Sequence, residues 1–224
     1  MSEIIYLTRV RLSFPTLIEP KGAINDPNAK VKYSADLLME PSHKDFVKFM
    51  SEVHRTAGDK WGGDAENVLN MINIDRKLRC YGKGEERIDK KTFKPYVGYE
   101  GNVYISASRE LAPQMIGGDG NTIDGTNAIA YRAAARTLYG GCSVNAAVRP
   151  WLQENKHGRG VRCDLVAIQF CEDGEAFGEG NADVSGMFTP VATSAAPQFG
   201  APAAPQFGAP AAPQWGMPTP PFAT

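Results

Sequence analysis

Hydrophobic and polar positions alternate with a period of two over residues 139–152, and after a polar turn a second apolar-rich run spans 161–171. Cys142, Val144, Ala146, Val148 and Leu152 share one parity; Tyr139, Ser143, Asn145, Arg149 and Trp151 share the other. That alternation marks a strand with one buried and one solvated face. The turn, 154–160, contributes Lys156, His157 and Arg159. A long two-stranded hairpin is expected, with a cation and two aromatics on its solvated side.

The same period recurs at the start of the chain. Ile4, Tyr6, Thr8, Val10, Leu12 and Phe14 form one face and Arg9 and Arg11 the other, with Pro15 and Pro20 closing the strand. A turn signal at 25–28 precedes a second strand, 30–39, with Val31, Tyr33, Ala35 and Leu37 opposite Lys30, Lys32 and Ser34. The spacing then changes. Ser42 reads as a helix N-cap, and Phe46, Phe49, Met50 and Val53 repeat at helical intervals to about Thr56, before Gly58, Gly62 and Gly63. A short second helix is expected over 64–73, with Val68, Leu69 and Ile72 apolar. Residues 102–108 read as a strand with Val103, Ile105 and Ala107 inward and Tyr104 outward. Residues 117–125 read as a loop, and 128–138 fit either a short helix or an extended link. These elements predict a mainly β protein: an OB-fold-type closed β-barrel with inserted helices covering or plugging the sheet. A β-sandwich is the second choice.

Charge changes the picture most at 76–99. Arg76, Lys77, Arg79, Lys83, Arg87, Lys90, Lys91 and Lys94 face only Glu85, Glu86 and Asp89, and Tyr81, Phe93, Tyr96 and Tyr99 are interspersed. Gly82, Gly84 and Pro95 make this an irregular hairpin or loop. All 24 Lys and Arg lie at or before Arg162, while five of the 25 acids fall within 172–183, so residues 1–171 carry +4 and the next dozen −5. A basic body followed by an acidic segment suggests a polyanion site with a tethered competitor. Removal of 172–224 is accordingly expected to tighten polyanion binding.

An unpaired nucleic-acid strand needs cations for its phosphates and flat side chains for its bases. The candidate contact residues are Arg9, Arg11, Lys30, Lys32, Arg76, Lys77, Arg79, Tyr81, Lys91, Phe93, Lys94, Tyr96, Tyr99, Tyr104, Arg149 and Trp151. The competing view is a solvated charged loop whose aromatics return to the core, with ordinary exposed strand faces elsewhere. Recurrence of the cation–aromatic pairing on several elements favours the first.

Other chemistry finds little support. Cys80, Cys142, Cys163 and Cys171 form no CxxC pair, and they read as free thiols. His43, His54 and His157 are scattered with no HExxH, and Gly82-Lys83-Gly84 lacks a P-loop ending. In 119–124, Ile123 occupies a position where a calcium loop needs a ligand. No catalysis, metal or cofactor is expected. No run of eighteen apolar residues is present, and residues 1–12 have no signal-peptide layout. The division expected is a binding domain at 1–172 and a tail at 173–224. The tail repeats AAPQFGAP, placing Phe199, Phe207 and Trp215 eight residues apart, with Phe222 beyond; its Ala, Pro, Gln and Gly content predicts disorder.

Residues 141–178 carry Gly-Cys-x-Val-Asn-Ala, then Asn155, Lys156 and Gly158, then Gln169-Phe170 and Asp173-Gly174-Glu175-x-Phe177-Gly178. With 99–108 and 7–17 they resemble a family of phage single-stranded-DNA-binding proteins, whose OB-barrel is distantly similar to the T7-type binder. The resemblance implies sequence-independent binding of single-stranded DNA in phage replication or recombination, in the host cytoplasm, with self-association along DNA. It also implies an acidic tail with a terminal aromatic that meets replication proteins. Here the acids lie at 172–183, the last forty residues are neutral, and Ala223 and Thr224 follow Phe222. A different class of function is an adaptor or structural phage protein using its aromatic-bearing tail for assembly. An RNA chaperone of cold-shock type is a third, and a nuclease the least favoured.

Overall fold

The computed structural model describes residues 2–22, 30–155 and 158–178. The turn signal at 25–28, Lys156 and His157, and the repeats from 179 onward, with Phe199, Phe207, Trp215 and Phe222, lie outside the described residues.

The elements are β1 (Ile5–Lys21), β2 (Lys32–Met39), α1 (Lys44–Trp61), α2 (Ala65–Ile74), β3 (Tyr81–Lys83), β4 (Val103–Arg109), β5 (Gln114–Ile116), α3 (Ala128–Arg136), β6 (Ser143–Asn155) and β7 (Gly158–Glu172). The strands form one sheet in the order β3-β4-β2-β1-β6-β7-β5, antiparallel except for β5 on β7. Its concave face buries Leu7, Val10, Leu12, Leu37, Ile105, Val144, Val148 and Leu165 against Phe49 and Val53 of α1 and Val68, Leu69 and Ile72 of α2. The long β6–β7 hairpin, the inward set on β4 and the second helix agree with the expected pattern. Residues 128–136 are helical, capped by the Asn127 side chain accepting from Ala130 N.

The sheet curls but does not close into a barrel. β4 and β7 pack against each other, yet no ladder joins them among the described residues. Each facing edge is already committed. β3 takes the free edge of β4 at Val103–Ile105, and β5 takes that of β7 at Ala167–Gln169. A seam remains between the two strands.

The first strand departs from strict alternation. Arg9 and Phe14 have φ of 50° and 45°, and the pairing of β1 with β6 shifts between Leu7 and Val10. The extra residue of such a bulge flips the parity of what precedes it. Ile5 and Leu7 are therefore buried, and Ile4 and Tyr6, expected inside, are exposed. β1 also runs on through Pro15, which sits at a second register shift where no ladder donor is required. α1 begins one residue after His43, not Ser42: the His43 ring accepts from Asp45 N. It passes Gly58 and ends at Gly62, whose φ is 57°.

The bulge needs outside partners for its backbone donors. Thr8 N and Oγ1 both donate to Asp45 Oδ2, at 2.9 and 2.6 Å, and Arg9 N donates to Asn145 Oδ1 at 3.0 Å. Asp45 is buried, which pushes its carboxyl up; the two Thr8 bonds, with His43 and Lys44 nearby, outweigh this and hold it below its ordinary value. The sign follows: a depressed folded value stabilises above pH ~4 and is lost as pH falls through the folded value. Asp45→Asn is expected to cost about 1.5–3 kcal/mol at pH 7. Urea unfolding at pH 7 and pH 3 checks this, with the gap to wild type narrowing at the lower pH.

Candidate nucleic-acid interface

The seam is a groove of about 350 Å³ lined by Lys32, Arg109, Leu111, Trp151, Arg162 and Asp164. Four strands supply it. Lys32 opens β2, and Arg109 ends β4 opposite Tyr33. Trp151 and Arg162 are cross-strand partners on the β6–β7 hairpin, with Arg149 and Asp164 the next same-face pair. The Trp151 indole donates to Asp164 Oδ1 at 3.0 Å, which fixes the ring while 38% of the residue stays exposed. Arg162 donates through Nε to Gln153 Oε1 and through Nη1 to Lys77 O, each at 2.9 Å. That contact brings the turn carrying Lys77 to the groove. Lys21 pairs opposite Lys32.

Charge accounting distinguishes this place. Lys21, Lys32, Lys77, Arg109, Arg149 and Arg162 have no ion-pair partner among the described residues. Arg162 is oriented by neutral acceptors, so its charge is not spent. Of the acids nearby, Glu110 is paired with Lys30 at 3.0 Å, and Asp164, which accepts from the neutral indole, keeps its charge as the one unpaired carboxylate among the described residues that line the groove. Lys32, Lys77, Arg149 and Trp151 are thus brought together from the predicted set, while Lys21, Arg109 and Arg162 were missed. Arg162 had a signal: counting back from the hairpin turn pairs it with Trp151.

A second patch lies on the irregular hairpin over 84–101. Its anchor is Asp36, a buried carboxylate on the outer face of β2. Asp36 accepts from Arg87 Nη2, Tyr99 Oη at 2.6 Å and Ser106 Oγ. The Arg87 guanidinium also lies over the Tyr104 ring, 4.7 Å from its centroid. Burial first, then the adjacent carboxylate, pushes the Tyr99 phenol well above its ordinary range, so it remains a donor. The free end presents Lys91, Phe93, Lys94 and Tyr96. Phe93 is 82% exposed with φ of 57°. Tyr96 meets Phe14 edge-on at 4.9 Å, and Phe14, absent from the predicted set, is itself half exposed.

Burial and pairing give several of the expected contact residues other partners within the fold. Tyr81, Tyr99 and Tyr104 are 6%, 0% and 2% exposed and offer no ring face to a base. Tyr81 is in the core, where its hydroxyl donates to Asn73 Oδ1; Tyr99 and Tyr104 form a second cluster with Leu38 beneath the hairpin. Arg79 is largely buried and pairs with Glu86 at 2.7 Å. Arg76 donates to the Glu86 carbonyl. Arg9 pairs with Glu172 at 3.1 Å. Arg11 donates to Gly141 O and Glu175 O and lies 4.8 Å from the Phe177 ring centroid. Residues 173–178, assigned to the tail by composition, thus pack on the sheet; Phe177 N donates to Gly140 O at 2.8 Å.

A curled β sheet whose seam sets unspent cations beside a fixed indole has the layout of a protein that grips a flexible polyanion. The chain belongs to the family described as Enterobacter phage Enc34, ssDNA-binding protein, whose model matches residues 3–195. It is 36% identical over 183 residues to "Putative protein p50" of Acyrthosiphon pisum secondary endosymbiont phage 1, covering 80% of this chain and 90% of that protein. The single-stranded DNA-binding protein from bacteriophage Enc34, solved in complex with ssDNA, is similar at 25% identity with a TM-score of 0.59, over 78% of this chain and 89% of that one. gp2.5, a single-stranded DNA-binding protein encoded by bacteriophage T7, shows 10% identity and a TM-score of 0.47, over 84% and 96% of the two chains.

The anchor has a direct test. Asp36→Asn leaves Arg87 without its counter-charge, and the expected loss is about 3 kcal/mol, the lower end for a broken buried pair because Arg87 is partly exposed. Trypsin cleavage after Lys90 or Lys91 should accelerate. Unchanged stability and cleavage would show that the hairpin is held by other contacts.

Proposed function

We propose that this protein binds single-stranded DNA without sequence preference and coats it during phage DNA replication or recombination in the host cytoplasm. The observation that carries this reading is the seam groove, where Trp151 is fixed among Lys32, Lys77, Arg109, Arg149 and Arg162, five cations without an ion-pair partner among the described residues. The family relation and the bacteriophage Enc34 protein solved with ssDNA support it. The curled sheet is read as an OB-type wall opened at one seam. The work done is binding, with no bond made or broken.

Two forces act in sequence. Lysines and arginines displace the counterions condensed on the phosphates, which draws the strand in irrespective of its bases. The indole then offers one face to an unstacked base, an interaction indifferent to base identity. A duplex, whose bases are already stacked, gains only the first. The exposed Phe93 and Tyr96, with Lys91 and Lys94 beside them, extend the same chemistry onto the hairpin. The domain division follows: a DNA-binding body, onto which residues 173–178 pack, and the tail beyond.

Fluorescence titration with a labelled oligo-dT and a duplex of equal length checks this. Four phosphate contacts at the groove give a salt slope near −2.8, so affinity should fall about 50-fold between 50 and 200 mM salt. Trp151→Ala should lose about 1–3 kcal/mol of affinity for the single strand. Equal affinity for duplex, or binding indifferent to salt, overturns the proposal.

A further inference from the structure

Beside the groove lies a larger cavity of about 470 Å³, open to solvent and lined by Tyr33, Met115, Ile123 and Tyr131, with Gln114 and Arg132 also in its wall. Groove and cavity share their dividing wall. Lys32 lines the one and Tyr33 the other; Arg109, Glu110 and Leu111 line the groove, while Ala112, Pro113 and Gln114 line the cavity. Lys32 and Tyr33 are successive strand residues and point to opposite sides of β2, and the bend at 110–113 passes from the groove to the cavity. Leu111 and Ala112, both exposed, form the lip between them.

We propose that this cavity receives a nucleobase of the same bound strand, turned over the lip at 111–112. The inference rests on the DNA-binding reading above and adds a subsite that the groove alone does not contain. The walls suit a base. Two phenol rings with Met115 and Ile123 provide flat and apolar contact, and Gln114 and Thr122 bring polar groups that can meet a base edge. Tyr131 Oη is buried in the wall and has no hydrogen-bond partner among the described residues, so the tyrosine meets the cavity with its ring. Burial pushes this phenol up to about 12, and it remains protonated as a donor. Lys32 on the groove side and Arg132 on the cavity side bracket the wall with positive charge. Arg132 meets Glu19 only through an exposed pair at 3.5 Å, a contact that a phosphate can displace. Continuity with a cationic groove distinguishes a nucleic-acid base from an uncharged apolar ligand.

Photocrosslinking with oligo-dT carrying 5-iododeoxyuridine, mapped by mass spectrometry on the full chain, tests this. Adducts are expected on peptides containing Tyr33 or Tyr131 as well as on that containing Trp151. Ala128→Trp, at an exposed cavity-lining position on the first turn of α3, should abolish the cavity adducts, keep the Trp151 adduct and weaken oligo-dT binding about tenfold. Thermal melting establishes that the variant is folded; if it is not, Ala112→Trp from the exposed lip makes the same test. Adducts confined to the Trp151 peptide, with Ala128→Trp binding as wild type does, overturn the cavity subsite and leave the DNA-coating reading standing. Absence of oligo-dT binding by the wild-type chain overturns that reading and the subsite with it.

Discussion

One buried carboxylate decides where the most highly charged part of this chain can sit. Asp36 gathers a guanidinium and a phenol from the two arms of the 84–101 hairpin and a hydroxyl from β4. A buried ion pair of this kind contributes little net stability against an apolar alternative, because both charges lose their hydration. What it supplies is position. Residues 84–101 are rich in Lys, Glu and Gly, and short-range forces alone would leave them a solvated loop. Tied at Arg87 and Tyr99, they become a platform on the outer face of β2 and β4. The same tie sorts the aromatics: Tyr99 and Tyr104 are drawn beneath the platform, and Phe93 and Tyr96 are left above it.

The seam has an equally local origin. A sheet closes when its two end strands meet with free edges. Here both edges are occupied by three-residue strands, β3 and β5, before the meeting takes place. The bulges in β1 add the curvature that brings β4 and β7 close without pairing them. Asp45 and Asn145 stabilise the first bulge by accepting the donors it leaves out of the ladder. A helix on one side and a strand on the other thereby fix a kink that shapes a groove further round the sheet.

These constraints explain which parts were legible in the sequence. The β6–β7 hairpin, β4 and α2 follow from periodicity, because nothing interrupts it there. The first half of β1 was read on the wrong face because Arg9 takes a positive φ, for which its side chain gives no local signal; the partners that stabilise the bulge lie 37 and 136 positions away. Tyr81, Tyr99 and Tyr104 looked like binding residues because they stand among lysines and arginines. Their burial depends on Asp36 and on the core over α1, neither of which marks the 76–99 segment. Composition also drew the tail boundary too early, since Phe177 anchors an otherwise polar stretch. Its ring lies where a Cβ on Gly98 would fall, 2.3 Å away, and Gly98 has a φ of 82°. That fit is visible only once the two segments have met.

The distribution of charge supplies the last step. A net count sees a nearly neutral protein, and a count by segment sees a basic body; neither locates an interface. What matters to a phosphate is a cation whose field is not already cancelled. Arg79 and Arg87 are each engaged with a carboxylate in a partly buried pair, so they hold the fold together and offer little outward; the Arg9–Glu172 pair is exposed and open to displacement by a phosphate. Arg11 is held by two carbonyls and a ring, and it fastens the segment that follows β7. Arg162 is also held at two points, but by neutral oxygens in a groove open to solvent, so its position is fixed while its charge stays available. An arginine so held loses less side-chain freedom on meeting a phosphate than a free one does, and attraction to the strand is correspondingly less opposed by entropy. The seam is therefore where an arginine fixed by neutral oxygens stands beside a fixed indole, while Lys91 and Lys94, also without an ion pair among the described residues, keep a second store of usable charge beside Phe93.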